Sequence, residues 1–148
     1  MRRGSVRREL VLRVPAARAW EAVTRAELLH LWFPGLTASP VDGDQRTVTL
    51  GSGIAFTETI LTNDPIQRRF QYRITGGVFQ EHLATIDVHD LDGGSCLVVY
   101  ASDAAPGAMA LILGGATLGA LEELRRQLEG GAGPLVDALA PPTEGAVA

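Results

Sequence analysis

The sequence predicts an α+β fold: an N-terminal strand and a six-strand meander form a seven-stranded antiparallel sheet, backed by a long C-terminal helix, with two short helices after strand 1. Three features carry this expectation. Between residues 36 and 102, short runs of apolar–polar alternation are cut by Gly, Asp and Asn. Pro15 opens an alanine-rich helical stretch directly after the first strand-like run. Residues 107–129 repeat apolar side chains at helical spacing. At 148 residues the length fits one domain, large enough to bury about 68–70% of the surface its unfolded form exposes.

The first strand covers Val6 to Val14, with Leu10, Leu12 and Val14 on one face, and Pro15 ends it. A helix then runs from Ala16 to Val23, with Trp20 and Val23 on the same side. A second short helix, Ala26 to Trp32, stops before Phe33-Pro34-Gly35, because the residue before proline is pushed out of the helical region. Six strands follow at Leu36–Val41, Arg46–Leu50, Ile54–Leu61, Gln67–Thr75, Glu81–His89 and Ser95–Ser102. Their connections, Asp42-Gly43-Asp44, Gly51-Ser52-Gly53, Thr62-Asn63-Asp64-Pro65, Gly76-Gly77 and Asp92-Gly93-Gly94, are short, so neighbours pair as an antiparallel meander. The long helix, about Gly107 to Glu129, gathers Ala110, Leu113, Gly114, Thr117, Leu121, Leu124 and Leu128 into one stripe that needs a sheet to cover it. Its glycines 114, 115 and 119 weaken the helix and ask for a close approach to a neighbour. The domain is therefore expected over residues 1–129, with 130–148 a disordered tail rich in Gly, Pro and Ala.

Composition narrows the chemistry. All 13 basic residues are arginine, which excludes Schiff-base chemistry and a lysine nucleophile. The net charge of −4 hides a basic start, +5 over residues 1–25, and an acidic remainder, so nucleic acid is not the expected partner. The single Cys96 cannot form an internal disulfide and lies in an apolar run, which suits a reducing, cytoplasmic setting. Arg13 interrupts the apolar run of Leu10-Val11-Leu12, so no secretory leader is expected. Residues 104–121 are uncharged, yet Pro106 and four glycines thin them out, and no transmembrane span is expected. His30, His82 and His89 are scattered without metal spacing, and Gly51-Ser52-Gly53 opens no helix, so neither a metal nor a phosphate-binding cofactor is expected.

Alternation assigns the buried faces. Phe70, Tyr72 and Ile74 point one way, as do Phe56, Glu58 and Ile60, and His82, Ala84, Ile86 and Val88. Glu58 and His82 are polar groups on otherwise apolar faces, and a buried Glu58 requires Arg46, a backbone donor or water as partner, or else becomes partly neutral. A tight hairpin at 62–66 places Glu58 near Phe70 and Phe56 near Tyr72, and the next turn brings His82 beside Tyr72 or Ile74. The last strand, with Leu97-Val98-Val99 apolar on both sides, leaves its inward face open.

The order of elements resembles the helix-grip fold of the START-like, or SRPBCC, superfamily, and within it the polyketide cyclase/dehydrase and lipid-transport family. The resemblance covers about residues 5–129. It is carried by Val14-Pro15-Ala16 with Ala19-Trp20-Glu21, by Leu31-Trp32-Phe33-Pro34-Gly35, by Phe70-Gln71-Tyr72-Arg73-Ile74 with His82-Leu83-Ala84-Thr85-Ile86, and by Gly93-Gly94-Ser95. It implies a curved sheet gripping the helix around an apolar cavity. The expected lining is Phe56, Phe70, Tyr72, Ile74, His82, Ile86, Met109 and Leu113, with Trp32 and Phe33 near the mouth. A fully packed core has the same sequence signature. Three functions follow in order: binding of a small hydrophobic ligand (lipid, polyketide, isoprenoid or quinone-like); a polyketide cyclase or dehydratase with His82 and Tyr72 as acid–base groups and Glu58 in support; and a homodimeric module that pairs through Leu111 and Ile112. Cyclase relatives carry arginine and tyrosine in the cavity, whereas here Arg69 and Arg73 alternate outward.

Overall fold

The computed structural model describes residues 2–139. The elements are β1 (Gly4–Leu12), α1 (Ala16–Thr24), a 3-10 helix (Ala26–Leu31), β2 (Leu36–Ala38), β3 (Val41–Asp42), β4 (Gln45–Leu50), β5 (Ala55–Asp64), β6 (Arg69–Ile74), β7 (Glu81–Asp90), β8 (Cys96–Ala105), α2 (Gly107–Gly130) and α3 (Pro134–Leu139). All pairings are antiparallel, in the order β1-β8-β7-β6-β5-β4-β2, with β3 also on β4. The sheet thus has eight strands rather than seven. Pro40 has no N–H to give a ladder, and the run from Leu36 to Val41 breaks around it into β2 and β3, which pair with β4 separately.

Register settles what alternation left open. Ten consecutive pairs join β7 to β8, and nine join β1 to β8. Cys96, Val98, Tyr100, Ser102 and Ala104 therefore share the buried face with Ile86, Val88, Leu10 and Leu12. Cys96 is wholly buried, and burial raises its thiol pKa, with Asp90 adding to the effect. The β5–β6 hairpin departs from expectation. Its turn falls at residues 65–68, where Asp64 Oδ1 accepts the N–H groups of Ile66 and Gln67 at 2.8 and 3.1 Å. The later turn slides the register, and a one-residue bulge between Ile60 and Thr62 adjusts it by one more, so Glu58 lies opposite Ile74 and Ile60 opposite Tyr72, not Glu58 by Phe70 or Phe56 by Tyr72.

α2 lies across β1 and β8. Every residue of its expected stripe is buried except Leu113, which is half-buried. Gly114 makes the close approach: a Cβ there would meet Val6 Cγ2 at 2.8 Å. Gly115 and Gly119 do not, since nothing lies within 4 Å of theirs. The helix ends at Gly131, whose φ of 66° turns the chain while its N–H caps Gln127 O at 2.9 Å. By length and hydropathy α2 is long and apolar enough to cross a membrane, and its Ala110, Thr117, Leu121, Leu124 and Leu128 pack into the protein.

The segment expected to be a disordered tail from residue 130 instead forms α3. Leu135 and Leu139, four apart and on one side, are buried against the 3-10 helix and α1. Gln127 Oε1 accepts the Leu135 N–H at 2.8 Å, which ties α3 to α2. The rest of the expected tail, 140–148, lies outside the described residues.

The glycines of α2 divide by contact, and their substitutions should divide likewise. Gly115→Ala and Gly119→Ala should each raise stability by about 0.5–1 kcal/mol in urea melts, whereas Gly114→Ala should lower it.

Candidate functional site

Alternation on β4 turns Arg46 and Val48 inward, and register places Arg46 directly opposite Glu58. Arg46 Nε donates to Glu58 Oε1 at 2.6 Å, with the two side chains only 2% and 4% exposed. The guanidinium sits 4.8 Å from the Tyr72 ring centroid and 5.4 Å from that of Phe70, and its Nη1 donates to Ala26 O at 3.1 Å. Nη2 has no partner among the described residues. Burial pushes the Glu58 carboxyl above its usual range, against the opposing charge and hydrogen bond of Arg46. Sequence reading assigned Arg46 only as a partner for Glu58. It is in fact a buried arginine stacked on a buried tyrosine, while Arg69 and Arg73 do face outward.

Tyr72 and Tyr100 meet hydroxyl to hydroxyl at 2.5 Å in the interior. Burial raises both phenols well above their ordinary value, so neither ionises near neutrality. Tyr100, placed inward by register, contacts Trp32 and Phe33 with centroids 6.3 Å apart in each case. Trp32 is therefore core rather than mouth, and its Nε1 has no partner among the described residues.

His82 stands between the rings of Phe79, edge-on at 5.1 Å, and Tyr72 at 5.7 Å. Its Nδ1 accepts the Ile74 N–H at 2.9 Å. A backbone amide can only donate, so Nδ1 is the bare nitrogen and Nε2 carries the proton. Burial, helped by Arg73 and opposed by Asp103, lowers its pKa to about 4. A general base working at neutral pH is best served by a pKa near 7, and burial moves His82 away from it.

Between β5, β6 and the N-terminal half of α2 lies a cavity of about 250 Å³. Its walls are the expected Phe33, Phe56, Tyr72, Ile74, Met109 and Leu113, together with Leu29, Leu36, Leu50, Glu58, Val78, Phe79, Ile112 and Ala116. Four expected lining residues are elsewhere. Phe70 lies beneath Arg46, Ile86 and Trp32 belong to the packed core, and His82 faces an adjoining hollow. Val78 and Ile112 are 58% and 64% exposed, which marks the rim, and Leu111 is exposed beside it.

A bent antiparallel sheet closed by a C-terminal helix, with an apolar chamber between them, defines the helix-grip, START-like class. The chain belongs to the polyketide cyclase/dehydrase and lipid transport family, whose sequence model matches residues 3–139. Among solved structures, an uncharacterised protein of Bacillus thuringiensis superposes with a TM-score of 0.77 at 15% identity, covering 85% of this chain and 99% of that one. A START superfamily protein of Mycobacterium smegmatis gives 0.68 at 20% identity, with 92% and 99% covered. Norcoclaurine synthase of Thalictrum flavum, solved with dopamine and hydroxybenzaldehyde, gives 0.72 at 15% identity, with 88% and 89% covered. No curated protein matches the sequence.

Two outcomes test this interior. Glu58→Leu leaves the Arg46 guanidinium buried without its carboxylate and should cost about 3–5 kcal/mol in urea unfolding, while adding Arg46→Met should restore most of the loss. His82 binds its proton more weakly folded than unfolded, so between pH 6.5 and 4 the unfolded chain gains protons that the native one refuses. Stability should therefore fall as pH drops through that window, by about 3 kcal/mol at roughly 1.4 kcal/mol per tenfold in proton affinity, and His82→Gln should flatten the profile.

Proposed function

We propose that the protein binds a small hydrophobic molecule in the cavity beneath α2. The observation that carries this reading is the cavity itself. It is walled by aromatic and aliphatic side chains with one acidic residue, and it exceeds the ~150 Å³ that suffices to hold benzene in an engineered core. The family's lipid-transport members and the ligand-bound fold relative support it. The volume favours a compact ring system or short chain over a diacyl lipid, so polyketide-, isoprenoid- or quinone-sized molecules are the preferred class, in a cytoplasmic setting where Cys96 stays reduced.

Binding is preferred to acid–base catalysis because the candidate groups are held in unsuitable states. His82 is a weak base with its free lone pair occupied, Tyr72 is bonded to Tyr100, and Glu58 is bonded to Arg46. A cyclase or dehydratase reaction in the same cavity is the second reading, favoured by Glu58. Its pKa is raised and it is the one acidic residue lining the cavity, which makes it the candidate acid–base group, with Tyr72 orienting the substrate.

A screen of apolar ring compounds by thermal shift should find ligands that stabilise the protein by about 2.7 kcal/mol at a hundredfold excess over Kd, a rise of roughly 5–10 °C. Leu113→Phe, which fills the chamber, should abolish the shift. A library that moves nothing, or shifts unaffected by Leu113→Phe, would rule the cavity out.

A further inference from the structure

Against the inner cavity lies a second hollow of about 310 Å³, lined by Arg73, Ile74, Thr75, Gly76, Phe79, Gln80, Glu81 and His82. Ile74 and Phe79 wall both spaces, so the two are one side chain apart. His82 is 98% buried as a residue and lines the hollow, and its Nε2 makes no hydrogen bond among the described residues. The ring cannot turn to satisfy it. Nδ1 is anchored on the Ile74 N–H, and Phe79 and Tyr72 hold the two sides. The result is a single unpaired N–H donor, fixed in direction, on a ring that lines the hollow.

We propose that His82 is a specificity-determining residue: its Nε2–H takes the oxygen of a neutral hydrogen-bond acceptor, such as a ketone or quinone carbonyl, on a ligand whose apolar body occupies the inner cavity and whose oxygen passes Phe79. This rests on the cavity-binding reading and adds to it the polar feature that the ligand must carry. A neutral acceptor fits better than a carboxylate, because Arg73 and Glu81 share the hollow, and Arg3 beside it lies 3.7 Å from Glu81 and 3.4 Å from Asp103, which makes two charges of each sign. The hollow therefore shows no excess of one charge to attract an anion. An unionised imidazole is also a donor only through Nε2, so a hydrocarbon of the same shape leaves that N–H unpaired when it displaces water.

The test is a matched pair of probes, 2-acetylnaphthalene and 2-ethylnaphthalene, which differ by a carbonyl oxygen against two hydrogens. Each is titrated into nitrogen-15-labelled protein at pH 7, with Kd from fluorescence and the histidine ring nitrogens followed by NMR. The ketone should bind about three- to tenfold tighter, the yield of one neutral hydrogen bond. His82 should show a protonated Nε2 and bare Nδ1 in the free protein, and Nε2 should shift with the ketone alone. In His82→Phe the affinity ratio should fall to about one. Equal affinities in the wild type, a ratio that survives His82→Phe, or a proton on Nδ1 would overturn the proposal while leaving cavity binding intact. If neither probe binds, the cavity reading falls and this one with it. The NMR readout on the wild type decides the matter even if His82→Phe does not fold.

Discussion

Where α2 comes down on β1, Gly114 leaves no side chain between the helix and Val6, and this close seat governs how the remaining concave face is filled. One helix is too narrow to cover a bent sheet of eight strands. Drawn onto β1 and β8, it leaves the face of β4 to β6 to be closed by whatever those strands carry. The strands supply rings and one ion pair: Phe56, Phe70, Tyr72, Arg46 and Glu58. What they do not fill is the chamber. The close seat is shared, since Gly4 on β1 meets Gly107 and Ala110 of the helix as tightly as Gly114 meets Val6.

The ion pair is an expensive way to occupy the interior, since taking two charges from water costs several kcal/mol each and the mutual attraction only offsets it when geometry is good. Here geometry is good: a 2.6 Å contact, a carbonyl on Nη1 and two aromatic faces against the guanidinium plane. The arrangement fixes Tyr72 from one side while Tyr100 fixes its hydroxyl. A wall whose side chains are already bonded to one another has less to order when a cavity is filled, which is how rigidity favours binding in general.

Much of this was legible in the residues because one rule, alternation with period two, holds along β6 and β7, and it turned Phe70, Tyr72, Ile74, His82, Ala84, Ile86 and Val88 inward as the structure has them. The same rule made Glu58 conspicuous, and chemistry then demanded a partner such as Arg46. The failures have a common source in features that alternation does not encode. The β5–β6 turn falls at 65–68 rather than 62–66, and Leu61 is an extra residue in a run that is apolar at both Ile60 and Leu61; the displaced turn and the one-residue bulge together put Glu58 opposite Ile74 instead of Phe70. Trp32 is aromatic beside a loop, which suits a rim and a core alike, and only the inward turn of Tyr100 decided between them. The six residues of α3 are too few to show a period, so the glycines before Pro134 dominated the reading. His82 was recognised as out of place, but its role depends on which nitrogen meets the Ile74 amide, and no pattern of residue types carries that.

Cys96 gives the molecule an unplanned property. It sits at the start of β8, paired with Leu12 on one side and Asp90 on the other, with no exposed surface and a thiol whose ionisation burial discourages. Alkylating reagents attack the thiolate, and here they meet neither the anion nor a path to it. The sulfur becomes reactive only in those brief excursions when the seam between the first and last strands parts, so a single atom keeps a chemical record of how often the sheet comes undone.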